Sequence, residues 1–586
     1  MDAPGGARWG EHLGVTAVYA LLAILATWPL VLHIEDSLNF GEDRFDGYGT
    51  IWFGEHVFRV VQGQAELLTT QEVGWPEGLS LRLADSFLFG LLYLPFRALF
   101  APAAAFNLFT LAALASTAWS GFWLGRSALG LSRPAAFAVG LVVGFNALQH
   151  TYRVEGEAYL LAGFLLPLFA GQLWKGAQSG RFKDAVGAGL LLGLLAWSSG
   201  YFAIDGAVVG ASLGVALLLA SPHPRLPIVG GFAVGAAALI LPLAAVVVPV
   251  LTETIGARVD AAELGSADPV LDLLRNISYD SANLAGWWFP DPDTVHLRQQ
   301  RLFYLGWPAL TASVVVLARQ GWRRTLPWAL LAATGALLSL GPYLRLDDTM
   351  SDQGPPLPYY ALVRLHSAWL AYRMPLRFLS ITFVGMGVLV GFFVEALWAR
   401  RERRAAVAFL GMLTLDGLFF TGLATDRTEA QGKVPSAYAA LSGEGAVLDV
   451  FAPQSSNLRN AGLSVYYQAH HGAPTLANFT LWQDARAVLA ERLALALVDG
   501  DEAQLRKVFS VLAGLGVTEV ALHPGDFLPD DAAALDQALR SRCTLLQGPS
   551  VDDPDAMSLF ALPRQGALSR QAALQALAAW SPESTP

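Results

Sequence analysis

After a polar stretch of twelve residues, the chain enters a series of long apolar runs separated by short polar turns. The hydrocarbon core of a bilayer is about 30 Å thick, and a helix rising about 1.5 Å per residue crosses it in roughly 20 residues. Runs near that length lie at 13–33, 105–125, 134–149, 157–174, 184–202, 203–220, 227–251, 303–318, 325–343, 375–398 and 405–424, which predicts eleven spans. The apolar segment 86–100 is shorter and contains Pro95 and Arg97, so it reads as an interfacial or re-entrant piece. From about residue 430 the pattern changes. Residues 446–451 (AVLDVF) and 517–523 (VTEVALH) predict short buried strands, while 484–497 and 501–515 have helical periodicity. Residues 567–586 predict an Ala/Leu-rich helix with a polar tail. The expected fold class is a polytopic α-helical membrane protein with a C-terminal extracytoplasmic α/β domain. Residues 1–429 would form the membrane domain, with outer loops at 34–104, 253–302 and 344–374, and 430–586 the soluble domain.

Composition supports this reading. Hydrophobic residues make up 54% of the chain and charged residues 15%, with a mean hydropathy of +0.44, against about 25% charge in ordinary soluble proteins. The net charge is −10 and no long basic tract is present, which argues against a nucleic-acid partner. Cys543 is the one cysteine, so no intramolecular disulfide can form. The first apolar run lacks a small-residue cleavage site and is expected to be a retained helix. The sequons at Asn276 and Asn478 are expected to be chance matches in a bacterial chain.

Charge sets the expected orientation. With the N-terminus in the cytoplasm, every inside loop is basic: Arg126 and Arg133; Lys175, Arg181 and Lys183; Arg225; Arg319, Arg323 and Arg324; Arg400, Arg401, Arg403 and Arg404. The outer segment 35–85 holds ten acidic residues against three basic ones. This predicts a multi-pass protein of the bacterial inner membrane whose C-terminal domain is extracytoplasmic.

The outer loops hold most of the unusual polar residues. The first carries Asp43 and Asp46 just beyond span 1, followed by an aromatic amphipathic stretch (51–61) that would lie in the interface. The second is a short turn between spans 3 and 4, with His150, Arg153, Glu155 and Glu157 within eight residues. The third holds Asn283, Trp287, Trp288, Asp291 and Asp293. Paired carboxylates at a membrane surface suit acid–base work, because one can take the proton of an attacking hydroxyl while another orients the acceptor or holds a divalent cation such as Mg or Mn. The plainer alternative is a solvated acidic loop. Arg373 and Arg377 open span 10 from the outside, with Arg364 and His366 just upstream. Guanidinium matches phosphate geometry, although interfacial snorkelling also accounts for arginines there. Asp205 and Asp416 fall within spans, where a carboxylate is costly and marks a functional candidate. The adjacent His470 and His471 lack further ligands at metal spacing, and no metal residue is assigned.

These stretches resemble the GT-C membrane glycosyltransferases, in particular the bacterial YfhO-like and related group. The resemblance rests on Asp46 preceding Trp52, on Trp75-Pro-Glu-Gly-Leu-Ser-Leu81, and on the His150…Glu155-x-Glu157 turn. It rests also on Tyr372-Arg-Met-Pro-Leu-Arg-Phe378, Tyr466 to Pro474 and Gly516 to Pro524. It implies transfer of a sugar from a polyprenyl-phosphate-linked donor to an extracytoplasmic glycan, lipid or protein acceptor. Asp46 or Asp43 would be the general base, with Glu155 and Glu157 as the second acidic site. Arg373 and Arg377 would hold the donor phosphate, with His150, Arg153, Trp52, His366 and Tyr372 lining the substrate. The first-loop acids are more dispersed than the family's motif, which leaves the base open between Asp43 and Asp46. Two other readings stand beside it: a non-catalytic accessory protein of cell-envelope glycan assembly, and a lipid-linked saccharide transporter.

Overall fold

The computed structural model describes residues 9–580 apart from 42–44, 83, 85, 162, 264–273, 279, 290–302, 348–353, 367–368, 371, 421–429, 453–456, 478–484, 551–555 and 564–565. The chain divides into two compact units. One comprises Met1–Leu32, Leu83–Leu92 and Asn107–Arg427, the other His33–Arg82, Tyr93–Phe106 and Thr428–Pro586.

The first unit is helical, and its helices make the chain a multi-pass membrane protein. Among the described residues, six helical stretches are long and apolar enough to cross a bilayer: Trp9–Ala26, Pro102–Ala128, Ala158–Ser179, Gly200–Ala220, Arg225–Pro249 and Pro375–Ala399. The other expected spans also fall on helices, at Arg133–Gly144, Phe182–Ser198, Trp307–Arg319, Trp322–Ser339 and Arg403–Leu415. Arg133–Gly144 has only 12 residues, about 18 Å of helix. It stops because Asn146 takes an extended conformation and its side chain caps the next helix, Ala147–Val154, by accepting from Gln149 N–H. The eight-residue stretch expected as a surface turn is therefore mostly a second, buried helix. The Arg225–Glu263 helix runs for 39 residues, about 58 Å, nearly twice the hydrocarbon thickness.

Glycine allows the tightest helix packing. A Cβ on Gly121 would lie 2.9 Å from Gly140 Cα, and one on Gly144 would lie 2.6 Å from Ala118 Cα. Small residues at four-residue spacing let two membrane helices approach backbone to backbone.

The second unit is α/β. β1 (Ser37–Leu38), β2 (Thr69–Thr70), β3 (Leu79–Ser80) and β4 (Ala430–Gln431) form two small antiparallel pairs, β1 with β4 and β2 with β3. The main sheet has the order β5-β6-β8-β7. β5 (Ala446–Val450) runs parallel to β6 (Val517–Leu522), whereas β7 (Thr544–Gln547) and β8 (Ser558–Ala561) pair antiparallel, as do β6 and β8. Leu448, Val450, Val520, Leu522 and Phe560 are buried with residues of the helices Ala485–Val498, Glu502–Gly514 and Pro529–Arg540. Segments expected as outer loops of the helical region belong to this unit. Trp75 packs against the core and donates its indole N–H to the Leu515 carbonyl at 2.6 Å. Gly74 and Trp75 give their backbone N–H groups to the carbonyls of Ala477 and Thr475. The loop backbone finds its hydrogen bonds on the α/β core, which is why the segment folds there.

Candidate active site

In the helical unit, buried charge gathers where the Ala147–Val154 helix and its C-terminal residues meet the start of the Leu379–Ala399 helix. Gly156, at φ +75°, turns the chain out of the first helix, a conformation that favours glycine. That turn presents Glu157, which forms an ion pair with Arg377 Nη2, both side chains being buried. The Arg377 guanidinium lies over the Tyr201 ring, 3.9 Å from its centroid. Its second terminal nitrogen, Nη1, is buried without a hydrogen-bond partner. Beside this pair, Asp205 accepts hydrogen bonds from Tyr372 Oη at 2.7 Å and Ser380 Oγ at 2.6 Å. Tyr372 stacks on Phe378 at 4.0 Å and meets Tyr201 edge-on at 5.1 Å. Tyr359 secures the segment by donating to the carbonyls of Trp369 and Tyr372, at 2.8 and 2.7 Å.

The expected residues divide along these lines. Glu157, Arg377 and Tyr372 come together with Asp205, Tyr201 and Ser380, and Glu155 is buried on the same turn. His150 is buried, and burial together with nearby Arg153 pushes its pKa down to about 3. The neutral ring donates from Nε2 to the Gly417 carbonyl at 3.0 Å, in the π-helical turn Asp416–Phe420. Arg153 is half-buried, and Arg373 and His366 are exposed. Arg373 does not join Arg377 because the segment between them is not α-helical: residues 372–374 are irregular and Pro375–Phe378 is a 3-10 turn. Asp416 accepts from Tyr304 Oη at 2.9 Å and lines a small pocket with Phe145, Asn146 and Leu305.

In the α/β unit, Asp46 opens the Phe45–Val61 helix, exposed and in its first turn, where a carboxylate complements the helix dipole. Trp52 is wholly buried and donates its indole N–H to Gln468 Oε1 at 2.7 Å. Nearby, Arg97 chelates Glu55 through Nε at 2.7 and 2.8 Å, and Tyr93 Oη donates to the same carboxylate at 2.8 Å. Burial nonetheless leaves the Glu55 carboxyl above its usual range. Asp43, Asp291 and Asp293 lie outside the described residues. Among the described residues no three His, Cys, Asp or Glu side chains converge as metal ligands.

Tyr201 and Ser380 went unnoticed in the sequence. Tyrosine and serine are ordinary in apolar helices, and only the fold sets them against Arg377 and Asp205.

Comparison with solved structures gives the fold its class. The archaeal oligosaccharyltransferase AglB from Archaeoglobus fulgidus, in complex with an inhibitory peptide and a dolichol-phosphate, aligns with a TM-score of 0.50 at 12% identity. That alignment covers 95% of this chain and 75% of AglB. The mycobacterial arabinofuranosyltransferase AftD aligns at 0.49 and 14% identity, over 96% of this chain but only 40% of its own length. ArnT from Cupriavidus metallidurans, bound to undecaprenyl phosphate, aligns at 0.49 and 12% identity over 96% of this chain and all of its own. No family model matches the chain, and no curated protein does. The chain is a polytopic membrane protein that shares its fold with AglB.

Proposed function

We propose that this protein is a membrane glycosyltransferase that moves a hexosyl or pentosyl group from a polyprenyl-phosphate-linked donor to an extracytoplasmic acceptor. The observation that carries the reading is Arg377, a buried guanidinium with one terminal nitrogen on Glu157 and the other unmet. A buried donor without a partner is costly and rare in native proteins. A planar fork with an open position suits a phosphate, which can take both terminal nitrogens. The dolichol-phosphate in the AglB complex supports this reading, as does the fold shared with AglB.

In this proposal Arg377 holds the donor phosphate and neutralises the charge that builds on it as the glycosidic bond breaks. Tyr201 keeps the guanidinium in place, and Asp205, through Tyr372, fixes the segment that carries it. Asp46 is the proposed general base, taking the acceptor's hydroxyl proton, with Asp43 as the other candidate. The N-terminus is placed in the cytoplasm of an inner membrane, and the α/β domain with its first-loop segments outside it, a reading supported by the basic short loops. Narrower kinship with the YfhO-like group rests on the quoted motifs.

The test is transfer of a labelled polyprenyl-phosphate sugar in proteoliposomes. Arg377→Gln should abolish it, by at least about a hundredfold, and Asp46→Asn should do the same while the protein stays folded. Undiminished transfer by Arg377→Gln would sink the functional reading, and by Asp46→Asn only the assignment of the base.

A further inference from the structure

We infer that Glu157 is an internal stand-in for the donor's phosphate: its carboxylate occupies Arg377 until a lipid-borne phosphate displaces it. The inference rests on the reading of Arg377 as the phosphate site. Three observations carry it. Glu157 engages Nη2 alone and leaves Nη1 unpartnered, so the carboxylate fills only half of the fork. Both side chains are buried, so neither charge is relieved by water. The carboxylate sits directly after Gly156 at φ +75°, on a turn between two helices rather than within one.

A buried arginine left with no anion would be strongly destabilising. The chain answers this with a carboxylate of its own, and a phosphate offering an oxygen to each terminal nitrogen makes the better partner. Donor binding then takes Arg377 from Glu157, and the displaced carboxylate can turn to the incoming acceptor only once the donor is seated. The arrangement imposes an order, donor before acceptor. It also lowers apparent donor affinity, because the phosphate must compete with a tethered carboxylate.

The experiment measures binding of undecaprenyl phosphate to the full-length protein in nanodiscs. Removing the competitor in Glu157→Gln should tighten binding about tenfold, the factor expected if the pair is closed about nine-tenths of the time. Glu157→Asp keeps the charge but shortens the reach, and should tighten binding by a smaller factor. Inorganic phosphate should raise the melting temperature of Glu157→Gln, by supplying the missing anion, and leave wild type and Arg377→Gln unmoved. If both Glu157 variants bind the lipid no tighter than wild type, the stand-in role is overturned. If Arg377→Gln binds it as well as wild type, the phosphate site itself is wrong and the inference falls with it.

Discussion

At the scale of single residues, the acids Asp205 and Asp416 inside the helical unit are held in place by hydroxyls. Asp205 receives two of them, from Tyr372 and Ser380, and has no cation in hydrogen-bond contact among the described residues. A buried carboxylate that loses a donor keeps its desolvation penalty and loses the compensation. Tyr372→Phe is therefore expected to lower stability by about 1–3 kcal/mol, read as thermal unfolding in detergent. Tyr372→Phe with unchanged stability would show that Ser380 alone satisfies Asp205. Asp205 was legible in the sequence as an acid inside an apolar run, and its partners were not. Ser380 lies 175 positions away and Tyr372 lies 167 away, separations that no local pattern encodes. Arg377 was legible through its odd location, yet its partner Glu157 lies 220 positions earlier.

Among elements, glycine spacing matters more than hydropathy. Gly140 on the Arg133–Gly144 helix faces Tyr19 Oη and the Ala118 carbonyl, where a Cβ would come within 2.1 and 2.5 Å. Tyr19 is itself fixed, donating to the Phe137 carbonyl at 2.9 Å and stacking on Phe137 at 4.9 Å. Gly140→Ala should force the helices apart and lower stability by about 1–3 kcal/mol. An exposed glycine with open surroundings on a helix, Gly411, should accept alanine without loss, and gain up to about 1 kcal/mol of helix propensity; the paired melting curves decide it. Hydropathy located the helices but set some ends wrongly. Span 3 was expected to reach residue 149, whereas Asn146 ends it early by capping the helix that follows. The capping was present in the sequence as an asparagine three positions before Gln149, hidden because the residues around it are apolar. Strands were missed as well, β7 and β8 of the main sheet among them. β7 is largely exposed and lacks the alternation that marks a half-buried strand, and β8 is four residues, Ser558–Ala561.

For the molecule as a whole, acid is expected to act through buried histidines of the α/β unit. In the α/β unit, burial holds His471 at a pKa of about 4, with Asp449 pulling upward and His470 downward. Asp449 is buried too, which raises it, but the hydrogen bond and charge of His523 and the Tyr438 hydroxyl bring it below its usual value. A histidine lowered from about 6.5 in the unfolded chain resists protonation only when folded. The unfolded state therefore binds more protons between pH 6.5 and 4, and stability falls across that window at up to about 1.4 kcal/mol per pH unit. Asp449 adds a loss at lower pH, as the carboxylate is titrated. Full stability is expected above pH 6.5, with an acid-side decline that His471→Phe should flatten. Circular dichroism melts of the full protein from pH 7 to 4 test this; a decline unaltered by that substitution would assign it to other groups.

What the sequence determined by itself was the medium and the class of fold. A shortage of charge, repeated apolar runs and basic short loops specify a chain solvated by lipid, because each acts locally and adds along the chain. The order of the motifs carried the GT-C resemblance for the same reason. The opposition of Glu157 to Arg377, the hydroxyl pair on Asp205 and the folding of the first-loop Trp75 onto the α/β core were decided only by tertiary structure. Such contacts depend on which distant segments become neighbours. A buried charge is stabilised by whatever the fold places within about 3 Å of it, and that distance is not written in the spacing of residues along the chain.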